Sequence, residues 1–228
     1  MSRAADTGGE EGRRRGGETQ EPRPAPQWVI DGLLRPAVRA LSRAVWRITL
    51  RGTEHVPAEG GLIIASNHQT YVDPLWVGSH VNRPLRYLAW NEAFKWPLMG
   101  KALELLGAWP VVLDRGNPTT HRRSLQWLRA GGAIMIFPEG QRAFADGEFS
   151  RFKAGAVRLA LEARVPVLPV TIRGGERVWP RGQRLPRPGR VEVVFHPARR
   201  PAPLAGEDTR HCVQRETEAL AAVIKSAL

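Results

Sequence analysis

The segment Asn67-His68-Gln69-Thr70-Tyr71-Val72-Asp73-Pro74 holds a base and an acid five residues apart. An imidazole takes up a proton near neutral pH, and a carboxylate within reach fixes its tautomer and steadies its charged form. A tight turn over five residues brings two such side chains together, which reads as a general base with its orienting acid. A plainer role also fits. Aspartate is a favoured helix N-cap and proline a favoured first helical residue, which leaves His68 an ordinary loop histidine. These eight residues alone leave both readings open.

The elements that must position them come next. Residues 61–66 are an apolar run of strand length, and residues 74–80 follow as a helix. Further strands are predicted at 48–56, 85–90, 109–113, 133–137, 165–172 and 191–195. Helices are predicted at 96–106, closed by Gly107, and at 119–130, 153–164 and 208–227. Residues 173–190, rich in Gly, Pro and Arg, read as a long surface loop. Strands alternating with helices predict an α/β fold with a mostly parallel or mixed central sheet covered by helices. In such a sheet the loops leaving the carboxyl ends of the strands share one rim. His68/Asp73, Asp114-Arg115 and Glu139-Gly140-Gln141-Arg142 follow three different predicted strands. A base and two arginines on one rim suit nucleophilic attack involving a substrate that also carries an anion, since the planar guanidinium matches phosphate.

The 228 residues suffice for one α/β domain, or at most two small ones. Lys and Arg number 34 against 22 Asp and Glu, a net charge of +12. That balance favours an anionic partner: nucleic acid, an acidic protein or an anionic membrane surface. Cys212, the single cysteine, excludes an internal disulfide and suits a reducing compartment, and no thiolate zinc site or other metal is expected. Residues 1–26 are Gly-, Glu- and Arg-rich without an apolar core, and are expected to be a disordered tail rather than a signal peptide. No apolar run approaches the roughly 20 residues of a membrane-spanning helix, so the expectation is a protein that is soluble or lies on a membrane, but does not cross one. Residues 27–50 form an amphipathic helical pattern interrupted at Pro36. Leu34, Val38, Leu41, Val45 and Ile48 make one stripe, with Arg35, Arg39, Arg43 and Arg47 roughly opposite. One reading is a membrane-interface helix, or a helix pair kinked at Pro36, with its arginines on head groups at roughly 1 kcal/mol each. The other is a helix packed on its own domain with a solvated arginine face.

Four blocks then occur in order. The first is Asn67-His68, four residues, Asp73-Pro74; the second is Gly107-Ala108-Trp109-Pro110-Val111-Val112-Leu113-Asp114-Arg115. The third is Phe137-Pro138-Glu139-Gly140-Gln141-Arg142, trailed by Phe152-Lys153-Ala154-Gly155, and the fourth is Val165-Pro166-Val167-Leu168-Pro169-Val170. Over about residues 45–200 this set resembles the glycerolipid acyltransferases, the group containing bacterial 1-acyl-glycerol-3-phosphate acyltransferases. The resemblance implies that residues 51–228 form an acyltransferase domain, peripheral to the cytoplasmic face of the cell membrane. It implies an acyl thioester, on coenzyme A or acyl carrier protein, as co-substrate with no further cofactor, and an acceptor most directly 1-acyl-glycerol-3-phosphate. His68 would take the acceptor's hydroxyl proton and Asp73 would hold the imidazole; general-base help of this kind contributes about 10²–10⁴-fold. A thioester is already activated, so no serine or cysteine nucleophile is required, and backbone N–H groups would meet the oxyanion. Arg115, Glu139, Gly140 and Arg142 would shape the acceptor pocket, the arginines facing a phosphate, with Asn67 and Lys153 in support. Residues 167–170 read either as lining of the acyl region or as a plain buried strand.

Two positions depart from the family pattern. Ala143 stands where serine usually follows the arginine of the third block, and Trp90 stands where a basic residue associated with the acceptor phosphate is common. They leave open a lysolipid with another head group, or another lipid hydroxyl or amine. A basic nucleic-acid-binding protein is the alternative of a different class, but no finger, helix-turn-helix or aromatic RNA-binding signature accompanies the charge. No Gly-x-Ser-x-Gly elbow supports a serine lipid hydrolase.

Overall fold

The computed structural model describes residues 24–112, 117–143 and 149–228. Seven strands, β1 (Thr49–Arg51), β2 (Leu62–Ser66), β3 (Leu85–Trp90), β4 (Trp109–Val111), β5 (Ala133–Ile136), β6 (Val167–Arg173) and β7 (Glu192–Phe195), form one sheet in the order β1-β7-β6-β2-β5-β3-β4. From β6 to β4 all neighbours are parallel, whereas β7 runs antiparallel to β6 and pairs parallel with β1. The sheet is thus mixed, as the alternation of elements predicts.

The central strand β2 is buried along its whole length, so it carries no polar face. Its side chains alternate between two cores. Leu62 and Ile64 join Trp76, Val77, Met135 and Leu168, on the side of α2 (Arg35–Trp46) and α3 (Asp73–Gly78). Ile63 and Ala65 join Leu125, Ala156 and Leu220. Those belong to α5 (Pro118–Arg129), α6 (Gly155–Ala163) and α8 (Thr209–Lys225). The first strand is shorter than the predicted 48–56. Gly52 adopts φ +70°, and a Cβ there would lie 2.0 Å from the carbonyl oxygen of Phe195. The chain must therefore leave the sheet at that glycine, and it turns into a 3-10 segment, Thr53–His55.

Helical backbone runs without a break through the N-terminal segment. Gln27–Val29 (α1) passes through a π-turn, Ile30–Leu34, directly into α2. Pro36 lacks an N–H and its ring crowds the carbonyl four residues back. The π-turn, in which Arg35 N–H reaches the Ile30 carbonyl, widens the backbone just before the proline and absorbs that conflict. The arginine row is only partly solvated: Arg43 and Arg47 are exposed, whereas Arg35 and Arg39 face the domain. Arg35 is buried, ion-paired with Asp31, and donates to the Arg83 carbonyl at 2.8 Å. Arg39 donates to the Ser79 carbonyl and to Asn82. Those contacts dock the helix, and its outward surface carries large apolar side chains, Trp28, Leu33 and Leu41 at 76, 63 and 57 % exposed, beside exposed Asp31 and Arg43. No helix among the described residues is long and apolar enough to cross a membrane. Of the tail 1–26, residues 1–23 lie outside the described residues, while Ala25 N–H donates to the Leu105 carbonyl at 2.9 Å.

Candidate active site

Because β6, β2, β5 and β3 are parallel, the segments that leave their carboxyl ends meet on one rim. His68 lies two residues beyond β2. Its Nδ1 is 2.8 Å from Asp73 Oδ2, and its side chain is 18 % exposed. Asp73 is fully buried at the first position of α3. Its carboxylate does not cap that helix. Oδ2 instead accepts the backbone N–H groups of Gln69 (2.6 Å) and Thr70 (2.8 Å), while Oδ1 accepts the Thr70 hydroxyl at 2.6 Å. The acid thus folds the loop back around itself and turns Oδ2 toward the imidazole as well. A carboxylate acceptor at that distance makes Nδ1 the protonated nitrogen and leaves the Nε2 lone pair for chemistry. Nε2 makes no hydrogen bond to a described residue. Phe137, leaving β5, stacks on the imidazole with ring centroids 4.0 Å apart and planes at 20°, which restricts ring rotation.

The other residues singled out by sequence divide by what their side chains touch. Glu139 is buried, and both its oxygens are occupied by backbone N–H groups, Oε1 by His68 at 2.8 Å and Oε2 by Ser150 at 2.9 Å. Burial pushes its carboxyl above the usual carboxylate range, and the two N–H donors pull against that shift. Glu139 therefore shapes the site by tying the third block to the histidine loop. The Ala143 N–H to His68 carbonyl bond, 2.6 Å, is a second tie. Gly140 makes the turn between them with φ +71°, and Lys153 packs so closely there that a Cβ would sit 3.1 Å from its Cε. Asn67 is buried and clamps β2 to β6, donating to the Ile172 carbonyl (2.8 Å) and accepting the Ile172 N–H (2.7 Å). Its support of the site is architectural. Arg115 lies outside the described residues. Residues 167–170 are buried core strand. An apolar cavity of about 480 Å³ opens elsewhere, between the N-terminal helix, α3, β3 and α4 (Pro97–Leu105), with Ile30, Leu34, Leu75 and Leu106 in its wall.

Arg142 does reach the rim. Its guanidinium carbon lies 3.6 Å from the centroid of the Tyr71 ring, and Nη1 is buried without a hydrogen-bond partner among the described residues. Burial pulls its pKa down from the ordinary arginine range; Tyr71 and Asp73 act in the opposite direction, and Arg181 adds to the lowering. The motifs alone give no role to the side chains of Tyr71, Phe137, Thr70 or Gln69. Gln69 Oε1 accepts the Gly175 N–H at 2.8 Å, tying the histidine loop to the turn after β6. Only the placement of Thr70 between His68 and Asp73 carried a local signal for any of these contacts.

Comparison with known protein families matches residues 47–173, more than half of the chain, to the family described as Acyltransferase. The chain belongs to that acyltransferase family. The matched span runs from the end of α2 to the end of β6 and so contains both the His68–Asp73 pair and the third block. Among its relatives is the 1-acyl-sn-glycerol-3-phosphate acyltransferase of Pseudomonas aeruginosa, 32 % identical over 157 residues, covering 67 % of this chain and 59 % of the relative. The protein of that name from Bacillus subtilis is 27 % identical over 173 residues, covering 75 % and 83 %. A Chlamydomonas reinhardtii enzyme of the same name is 30 % identical over 159 residues, covering 67 % and 47 %. This family member thus spans about two-fifths to three-fifths of the length of several curated relatives it matches. Its fold matches the crystal structure of the 1-acyl-sn-glycerophosphate acyltransferase PlsC from Thermotoga maritima with a TM-score of 0.69 at 23 % identity, over 88 % of this chain and 79 % of that one.

Proposed function

We propose that the protein transfers an acyl group from a thioester, acyl-coenzyme A or acyl-carrier protein, to the free hydroxyl of a lysophospholipid. The acceptor favoured is 1-acylglycerol-3-phosphate, with phosphatidic acid as product. The observation that carries this reading is the His68 Nδ1–Asp73 Oδ2 contact of 2.8 Å on the strand-end rim, with Nε2 left available. In the reaction, Nε2 removes the acceptor's hydroxyl proton as the oxygen attacks the thioester carbonyl. The tetrahedral intermediate collapses, the C–S bond breaks, and the departing thiolate takes the proton back from the imidazolium. Asp73 holds the ring and stabilises the imidazolium, so nothing else need ionise. Arg142, with Arg115 of the second block, supplies positive charge for the acceptor's phosphate. The names of the relatives support this acceptor. Trp90 and Ala143 favour testing a wider set, so the deciding experiment offers the purified protein a panel of lysolipids with each donor. Turnover confined to lysophosphatidate supports the reading; transfer only to another lysolipid or to a lipid amine replaces the acceptor, and no transfer to any acceptor overturns it.

The reaction belongs at a membrane surface, and we place the protein on the cytoplasmic leaflet, where thioester donors are made. The contacts of Arg35 and Arg39 favour a helix that docks by its arginines and meets lipid by Trp28, Leu33 and Leu41. Replacing Leu33 and Leu41 together by serine is expected to lower co-sedimentation with anionic vesicles while leaving the thermal midpoint unchanged. Unchanged sedimentation would remove this face from the lipid contact.

A further inference from the structure

Arg142 is a half-buried cation with no ion pair among the described residues. Desolvating such a cation is costly, and among the described residues Asp73 offsets that cost only through space, without a direct ion pair. What lies against it is the Tyr71 ring, at 3.6 Å. Tyr71 is itself held edge-on from two sides. Trp96, beyond β3, meets it at 6.0 Å and 76°; Trp179, beyond β6, meets it at 5.6 Å and 73°. Trp179 is anchored in turn by its indole N–H on the Gln183 carbonyl at 3.0 Å. The Tyr71 ring is therefore where segments following β2, β3, β5 and β6 converge.

From this convergence we infer that Tyr71 is a positioning residue for the acceptor's anionic group: its ring, clamped by Trp96 and Trp179, holds the Arg142 guanidinium on the rim without neutralising it. A carboxylate in its place would fix the arginine equally well but would quench the charge that an incoming phosphate needs. A π face attracts the cation and leaves its net charge intact. Tyr71 touches neither donor nor acceptor and acts through Arg142. The inference rests on the proposed acyl transfer and concerns affinity for the acceptor rather than the proton transfer at His68.

The test compares Tyr71→Phe and Tyr71→Leu with the unaltered full chain, using 1-acylglycerol-3-phosphate and acyl-coenzyme A. The leucine variant keeps apolar bulk and loses the π face. Its KM for the acceptor is expected to rise about 3- to 30-fold, the range a cation–π contact supports, while kcat stays within about threefold. The phenylalanine variant, which keeps the ring, is expected to restore most of the affinity, and the KM for the donor is expected not to move. Trp179→Leu, which loosens the clamp from a different loop, is expected to shift the acceptor KM in the same direction by less, and it provides the reading should Tyr71→Leu fold poorly. Loss of kcat at constant acceptor KM, equal behaviour of the phenylalanine and leucine variants, or unaltered kinetics in both loosened variants would overturn the inference. If the unaltered protein fails to acylate lysophosphatidate at all, the failure lies with the proposed function and not with Tyr71.

Discussion

His68→Ala is expected to lower kcat by about 10²–10⁴-fold, the contribution of a positioned general base, with little change in the acceptor KM. The fold should tolerate the change. The imidazole is partly exposed, and the alanine variant loses one hydrogen bond and the stacking on Phe137. Asp73 keeps its bonds to Gln69 N–H, Thr70 N–H and the Thr70 hydroxyl, so the loop retains its shape. A stability loss of about 1 kcal/mol is expected by urea unfolding, the typical net worth of one hydrogen bond. Single-turnover assays with saturating donor and acceptor, beside unfolding curves, check both halves. Full activity in His68→Ala would remove the histidine from the mechanism.

At Asp73, two replacements separate chemistry from architecture. Asparagine can reproduce much of the bonding. Its carbonyl oxygen can stand where Oδ2 accepts Gln69 N–H, Thr70 N–H and His68 Nδ1–H, and its amide nitrogen can donate to the Thr70 hydroxyl once that group turns round. What is lost is the charge that stabilises the imidazolium. A hydrogen bond to a charged group contributes about 1.5–3 kcal/mol, so Asp73→Asn is expected to lower kcat roughly 10- to 150-fold with a near-normal fold. Alanine instead strands two buried N–H groups at about 1–3 kcal/mol each, and is expected to destabilise the protein measurably. Because Asp73 acts through His68, the double variant His68→Ala/Asp73→Asn should be no slower than His68→Ala alone. Additive losses in that cycle would mean the carboxylate contributes independently of the histidine.

The order of strands and helices was legible in the sequence because it is written locally, in apolar runs, glycines and prolines. The closeness of His68 and Asp73 was legible for the same reason, since five residues hold both partners. What could not be read depends on partners far along the chain. Arg35 and Arg39 lie opposite an apolar stripe and suggest a solvated face, yet their acceptors are Arg83 O, Ser79 O and Asn82, some 40 residues on. Glu139 suggests a pocket carboxylate, but its two oxygens are taken by N–H groups 71 residues before it and 11 after. The Tyr71–Trp96–Trp179–Arg142 assembly draws on four strand-end segments, and no spacing rule links them. The π-turn before Pro36 was signalled only as an interruption, because a proline conflict can be relieved by a kink or by a wider turn, and the choice falls to packing.

Acyl transfer from a thioester to a lysolipid hydroxyl by general-base chemistry at His68 ties thiol release to product formation. It is tested most directly by following free thiol and lipid products together, with acyl-coenzyme A and 1-acylglycerol-3-phosphate as substrates. Thiol release is expected to require the acceptor and to equal the phosphatidic acid formed, mole for mole, with both falling together in His68→Ala. Thiol released without acceptor, accompanied by free fatty acid and no phosphatidic acid, would contradict it.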